Sequence, residues 1–395
     1  MARRTVGIVT TTRAEYGILR SLIRAVADDP DLELRLIVSG THLSEAHGMT
    51  VREIERDGVP IWRQVPILAD GDDEVAALLT IANAIAAQAP LLADTRPDIL
   101  VVLGDRSEVI AWGLVALLLR IPLAHLHGGE VTAGAVDESI RHALTKLATW
   151  HFVATDAYAA NVRQLGEDPD RVYTVGAPGL DGLVDLPTLG RAELLSGLGL
   201  AADRPTALVA LHPETTRPAA AAAELADAVL AGLAAAGVQA VLTGANADAG
   251  GALINARFAA AAAREPGRCC FRPSLGRELF GGCLRRLDVM VGNSSAGVIE
   301  APSFGRPVVN VGDRQLGRVM ADGIIQAPGR AAAIADAIGR ALTAEFGEQA
   351  RRAANPYAGP GMGRIGVTIK DILKSVPLGP DVIRKRFHEL DGYHA

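Results

Sequence analysis

The chain has 395 residues, more than one ordinary core can use and enough for two domains. Hydrophobic residues make up 49% and charged residues 21%, which excludes a disordered chain; a net charge of −6 and an aromatic share of 4% exclude a basic nucleic-acid surface and base-stacking platforms. The three cysteines, Cys269, Cys270 and Cys283, form no CxxC pair, carry no metal signature and suit a reducing compartment.

The N-terminal apolar stretch is short, below the ~7–15 residues of a signal-peptide core. Apolar stretches at 109–126 and 219–244 are interrupted by Arg120 and Pro122, and by Glu224 and Asp227, so each splits into a helix and a strand rather than a membrane span. A soluble cytoplasmic protein without membrane or nucleic-acid partners is expected.

Apolar runs of strand length alternate with helix-length segments along the chain. Strands are expected over 6–11, 32–38, 99–103, 123–127, 152–154 and 172–175, with helices over 18–27, 75–92, 109–119 and 138–150 between them. Around 176–205 the pattern loosens among Pro178, Pro187, Pro205 and glycines, as a linker does. The alternation then restarts, with strands over 207–211, 238–242, 287–291 and 308–311 and helices over 219–235, 253–264 and 331–343. This order, with buried-type Val/Ile/Leu runs, predicts an α/β protein of two Rossmann-like, doubly wound domains facing a cleft: 1–177, a linker at 178–205, 206–360, and a C-terminal helix and tail at 361–395.

In such sheets ligands bind beyond the carboxyl ends of the strands, so polar residues just after a strand are site candidates. In the first half these are Arg13, then Asp105 and Arg106 in GDRSE, Glu130 at the end of HLHGGE, and Asp137 with Arg141 one turn on. Asp105 can equally be a helix N-cap, and Asp137–Arg141 a surface ion pair of ~0.3–0.5 kcal/mol. His125 and His127 alternate along a strand and so do not form a zinc pair. No G-x-G-x-x-G follows the first strand, against a nicotinamide dehydrogenase. In the second half the candidates are His212, Asn246, Ser294, Ser295, Glu300 and Arg314. The stretch GNSSAGVIEAPS places small hydroxyl residues between a strand and a helix start, where free N–H groups collect an anion, with Ser294 or Ser295 as plain helix caps the competing reading. Glu300, one to two turns into that helix, can accept two hydrogen bonds from a ribose diol. The first half concentrates carboxylates; the second carries equipment for a nucleoside diphosphate.

Taken together, GDRSE, HLHGGE, DESIRHALTK, HPET, TGANAD, GNSSAGVIEAPS and NVGDRQLGR resemble the hydrolysing UDP-N-acetylglucosamine 2-epimerases, the NeuC-like enzymes of sialic-acid precursor synthesis. The resemblance runs from TRAEYG at 12–17 to NPY at 355–357. It implies the two-domain glycosyltransferase-B arrangement, with the C-terminal helix returning to the first domain, and a homodimer or homotetramer. It implies catalytic roles for Asp105, Glu130, Asp137, Arg141 and His212. It implies diphosphate contacts from Arg13, His212, Ser294, Ser295 and Arg314, a ribose contact from Glu300, and substrate contacts from Arg106 and Asn246. The loop 131–136 varies between members and lies near the sugar.

The implied reaction takes UDP-GlcNAc, or a related acetamido sugar, and water to ManNAc and UDP. Breaking the C1–O bond gives C1 positive character and makes the C2 proton removable; elimination leaves a 2-acetamidoglucal, water adds at C1, and a proton returns to C2 from the other face. No redox cofactor and no metal is called for. A non-hydrolysing 2-epimerase, a glycosyltransferase of the same architecture and a non-enzymatic nucleotide-sugar binding protein remain alternatives; the carboxylate trio exceeds what the last two require.

Overall fold

The computed structural model describes residues 3–71, 73–132, 136–183, 186–214, 216–246, 248–379 and 381–390. Residues 133–135 of the loop at 131–136, Thr215 of HPET and Ala247 of TGANAD lie outside them. The chain forms two compact units: Met1–Glu130 with Asp137–Asp181 and Tyr357–Ala395, and Val131–Val136 with Gly182–Pro356.

The first unit runs β1 (Arg4–Thr10), α1 (Arg13–Ala27), β2 (Leu32–Ser39), α2 (Val51–Arg56), β3 (Ile61–Val65), α3 (Glu74–Thr95), β4 (Ile99–Leu103), α4 (Val109–Leu118), β5 (Leu123–Leu126), α5 (Asp137–Leu147), β6 (Trp150–Val153), α6 (Asp156–Gln164) and β7 (Val172–Thr174). Among the described residues its strands form one seven-stranded sheet, parallel throughout, in the order β3-β2-β1-β4-β5-β6-β7. All five residues of β4, ILVVL, are buried, as a strand covered on both faces must be. A capping box starts α1: the Thr12 side chain accepts from the Glu15 N–H while Glu15 reaches back to the cap backbone.

The second unit runs α7 (Arg191–Gly197), β8 (Thr206–Ala210), α8 (Ala219–Ala235), β9 (Gln239–Thr243), α9 (Gly251–Arg264), β10 (Cys269–Arg272), α10 (Gly276–Arg286), β11 (Val289–Gly292), α11 (Ser295–Ile299), β12 (Val308–Val311), β13 (Ile324–Ala327), α12 (Ala331–Ala341) and α13 (Ala344–Arg352). Its parallel sheet has the order β10-β9-β8-β11-β12-β13. Strand order reverses between β1 and β4 in one sheet and between β8 and β11 in the other. The loops leaving those strands therefore lie side by side within each unit, and they carry Arg13, Asp105 and Arg106 in the first and His212, Ser294 and Ser295 in the second, with Glu300 past α11 and the other candidates following β5, β9 and β12.

The expectation of a strand through residue 127 is corrected: β5 stops at Leu126, because His127 takes a left-handed φ of 62°. The apolar stretches at 109–126 and 219–244 each divide into a helix and a strand, as expected. Among the described residues α3 is the one helix long and apolar enough to cross a bilayer, on length and composition alone. Its buried residues, Ala76, Thr80, Ala84, Gln88 and Leu92, recur every four positions, which is the stripe of a helix lying on a protein layer, while Val75, Leu78 and Leu79 are exposed.

The last helix, α14 (Ile365–Ser375), belongs to the first unit and packs on α1 through Ile365, Ile369 and Leu373. Asp181 caps it from a distance, its carboxylate accepting the N–H groups of Ile365 at 2.9 Å and Gly366 at 2.7 Å. Asp181 is buried, so Asp181→Ala strands two helix donors without water. A loss of ~1–3 kcal/mol in urea unfolding is expected; an unchanged midpoint would show that the cap does not hold this helix.

Candidate functional site

In the first unit one guanidinium gathers the site. Arg141 lies one turn into α5 and is only 1% exposed. Its Nη2 pairs with the Asp105 carboxylate, and its Nη1 donates to the Glu130 carbonyl at 2.8 Å and to Glu138 Oε2 at 3.3 Å. The loop after β4, the turn after β5 and the start of α5 thus share one buried cation that keeps its charge at any working pH. A surface ion pair for Arg141 is excluded by this burial. Asp137 opens α5 and is half-buried, at the helix end that favours a carboxylate.

Glu130 is 2% exposed, and its Oε1 meets His127 Nδ1. The turn that brings it back needs glycine at Gly129: φ is 73°, and a Cβ there would stand 2.4 Å from the Tyr158 carbonyl oxygen. His125, fully buried, ties the same elements together from below. Its Nε2 lies 2.7 Å from the carbonyl of Gly104, the residue before Asp105, and its Nδ1 lies 3.2 Å from the Thr145 hydroxyl on α5. Burial pushes the His125 imidazole down to about 3, so it is a neutral brace: Nε2–H donates and Nδ1 accepts.

Arg106 donates through Nε to Glu108 Oε1 at 2.7 Å. Glu108 is buried and also lies 2.8 Å from the Thr11 hydroxyl, which stands 2.9 Å from Glu15 Oε2. One hydroxyl proton cannot serve two carboxylates. Burial, and then the charge of Glu108, raise the Glu15 carboxyl to about 7, so it is half protonated at neutral pH and can supply the missing proton. Arg13 is the first residue of α1 and is exposed.

The second unit assembles the other set. Gly292 ends β11 with φ 137°, and a Cβ there would fall 2.0 Å from the Ala210 carbonyl oxygen, so only glycine lets the chain pass β8 and turn into Asn293. Asn293, fully buried, accepts the His212 N–H at 2.7 Å and donates to the His212 carbonyl at 2.9 Å. Its own carbonyl accepts Arg314 Nη1 at 3.3 Å and Gln315 Nε2 at 2.8 Å. His212 Nδ1 accepts the Asn246 N–H at 3.1 Å, which puts the ring proton on Nε2. Burial, helped by Arg314, pushes this imidazole down to about 3, so His212 is a neutral donor. Asn246 Nδ2 donates to Asp248 at 2.5 Å.

Ser294 is the N-cap of α11, its hydroxyl accepting the Ala296 N–H at 3.4 Å. Glu300 lies just past that helix rather than inside it, as its C-cap, and the chain continues as a 3-10 turn at Ala301–Phe304. Helix α11 is thus little more than one turn, so its free N–H groups matter more than a macrodipole for an anion beside Ser294 and Ser295. Burial raises the Glu300 carboxyl to about 7 despite Arg277 nearby. Asp105, Glu130 and Arg141 therefore meet in the first unit, with Arg106 braced beside them, and His212, Asn246 and Arg314 meet around Asn293 in the second. Among the described residues no group of three His, Cys, Asp or Glu side chains is placed to hold a metal ion.

The sequence reading did not single out Asn293, Gln315, Glu108, Glu15, His125 or His127 as site residues. Each is a polar residue buried beneath a loop, and two carried a usable signal: Asn293 directly follows the strand-ending glycine, and His127 directly precedes Gly128–Gly129.

The family model described as UDP-N-acetylglucosamine 2-epimerase matches residues 24–374. The chain belongs to this family. The hydrolysing GDP/UDP-N,N'-diacetylbacillosamine 2-epimerase of Campylobacter jejuni is 34% identical over 325 residues, covering 82% of this chain and 84% of that protein. The hydrolysing UDP-N,N'-diacetylbacillosamine 2-epimerase of Legionella pneumophila is 33% identical over 377 residues, 95% of this chain and 97% of the relative. The polysialic acid biosynthesis protein P7 of Escherichia coli is 31% identical over 351 residues, covering 88% of this chain and 89% of the relative. Among solved structures, the UDP-GlcNAc 2-epimerase of Neisseria meningitidis bound to UDP-GlcNAc has a TM-score of 0.79 at 17% identity, over 93% of this chain and 99% of its own. That of Methanocaldococcus jannaschii in complex with UDP-GlcNAc and UDP has a TM-score of 0.77 at 17% identity, over 94% of this chain and 100% of its own. At these identities the structural likeness is one of fold: the two parallel α/β sheets are those of this family.

Proposed function

We propose that the protein is a hydrolysing 2-epimerase of a nucleoside-diphosphate-activated 2-acetamido sugar, releasing the diphosphate and inverting C2. One observation carries the reading: a buried arginine is bonded to both Asp105 and the backbone of Glu130, so the carboxylates are held by the fold rather than left on a surface. In this reading His212 and Arg314 meet the leaving diphosphate with Ser294 and Ser295, where each well-placed donor is worth ~3 kcal/mol in the transition state. Glu130 and Asp105 serve the two proton transfers at C2, with Asp137 in support.

The test is one incubation in D2O followed by proton NMR. Release of UDP together with a 2-epimeric free sugar bearing deuterium at C2 is expected. The relatives from Campylobacter and Legionella support UDP-N,N'-diacetylbacillosamine as a better substrate than UDP-GlcNAc, and running both compares them directly. An intact epimeric sugar nucleotide would make the enzyme non-hydrolysing; UDP release with an unlabelled, unepimerised sugar would overturn the reading.

Glu300 adds a pH dependence. Its raised carboxyl keeps a proton up to about pH 7, and a protonated carboxyl accepts one fewer diol hydrogen bond. UDP affinity is therefore expected to rise with pH, by up to about tenfold per unit below pH 7, and to level off above it. Glu300→Gln should bind more weakly and flatten this limb in calorimetric titrations; an unchanged slope would remove Glu300 from the ribose contact.

A further inference from the structure

His127 carries two unfavourable features at once. It is a non-glycine residue with φ 62°, in the left-handed region, although its N–H still donates to the Phe152 carbonyl at 2.9 Å. The residue is 8% exposed, and only one ring nitrogen is used: Nδ1 bonds Glu130 Oε1, whereas Nε2 is buried and has no hydrogen-bond partner among the described residues. An unsatisfied buried ring nitrogen is destabilising, and strain of this kind persists where a site requires it. His125, two residues earlier in the same motif, is the internal comparison: fully buried, with both nitrogens occupied and regular strand backbone.

We propose that His127 is a proton-transferring residue of this site, with Glu130 holding it in the Nδ1–H tautomer so that the Nε2 lone pair takes the C2 proton of the sugar. The proposal rests on the hydrolysing-epimerase reading. The C2–H electron pair becomes the C1=C2 double bond, and the C1–O pair leaves with the nucleoside diphosphate. The proton ends on Nε2, and the imidazolium that forms is stabilised by the Glu130 carboxylate, which itself stays ionised. Arg141, bonded to the Glu130 backbone, fixes the turn that carries the pair. Glu130 thereby becomes a positioning residue that acts through His127.

The discriminating variant is His127→Asn. Its side-chain amide can still donate to Glu130 in place of Nδ1–H, but offers no basic nitrogen at the Nε2 position. A ~10²–10⁴-fold fall in kcat is expected, with UDP affinity within twofold of the parent, loss of deuterium wash-in at C2 and partial recovery on adding imidazole. Activity within threefold of the parent would show that Glu130 is the base and His127 only its support. A measurement on the unmodified protein guards against misfolding of the variant and against failure of the functional reading. Nitrogen-15 NMR of the histidines should show His127 as the Nδ1–H tautomer at neutral pH; an Nε2–H tautomer would overturn the proposal. Absence of turnover on every acetamido sugar nucleotide would instead overturn the epimerase reading, and the tautomer would still decide whether Glu130 holds the ring as described.

Discussion

Arg141→Met is expected to abolish turnover and to remove ~3–5 kcal/mol of stability, the range for breaking a buried ion pair from one side. Methionine fills much of the volume but leaves Asp105, Glu138 and the Glu130 carbonyl facing one another without the guanidinium that joins them. Two carboxylates and a carbonyl dipole then repel one another around the buried volume that Arg141, itself 1% exposed, has left. Arg141→Lys tests whether charge alone suffices. An ammonium restores the charge at one point, yet it cannot reach three acceptors in the plane of a guanidinium, so recovery of stability without recovery of kcat is expected. Urea unfolding and UDP release, measured on both variants, separate the two effects. A native midpoint for Arg141→Met would mean that the cluster contributes nothing to holding the loops.

The same arginine shows where reading the sequence stops. The i,i+4 spacing of Asp137 and Arg141 suggests a helix-surface pair, and nothing in the spacing reveals that Arg141 is buried and reaches Asp105, thirty-six positions away. The buried strands were legible because a strand covered on both faces must be an apolar run, as ILVVL of β4 and VVNV of β12 nearly are. The missed strands lie at sheet edges. IWRQV of β3 and CCFR of β10 have one neighbour each and partly exposed faces, so their sequences mix polar and apolar residues without a clean period. Helix α10, GRELFGGCLRR, was hidden by its glycines, although Gly281 is used for packing: a Cβ there would stand 3.3 Å from Leu186. For the site, strand-end position pointed to the loops but not to their bracing. His125 and Glu108 are legible only once separate loops meet, because a buried polar residue looks like any other polar residue until its partner is known.

Asp105→Asn is expected to reduce kcat by ~10²–10⁴-fold with little loss of fold, which distinguishes a chemical role from that of Arg141. Asparagine has the same shape, and its amide oxygen can still accept from Arg141 Nη2, so the loop after β4 keeps its anchor. What is lost is a group able to carry a proton, together with the negative charge that balances Arg141. An N-cap role predicts a different outcome, since asparagine caps helices about as well as aspartate and the substitution would then leave activity unchanged. Nucleotide affinity is the control. UDP has its expected contacts mainly at His212, Ser294, Ser295, Glu300 and Arg314 in the second unit, so its dissociation constant should stay within about twofold of the parent, whereas a site whose loops had collapsed would lose it. If Asp105→Asn turns over at the parent rate, proton transfer does not pass through Asp105, and its bond to Arg141 is structural alone. If kcat falls while UDP binding and the urea midpoint hold, the chemistry belongs to the carboxylate, and deuterium incorporation at C2 shows whether removal or return of the proton has been slowed.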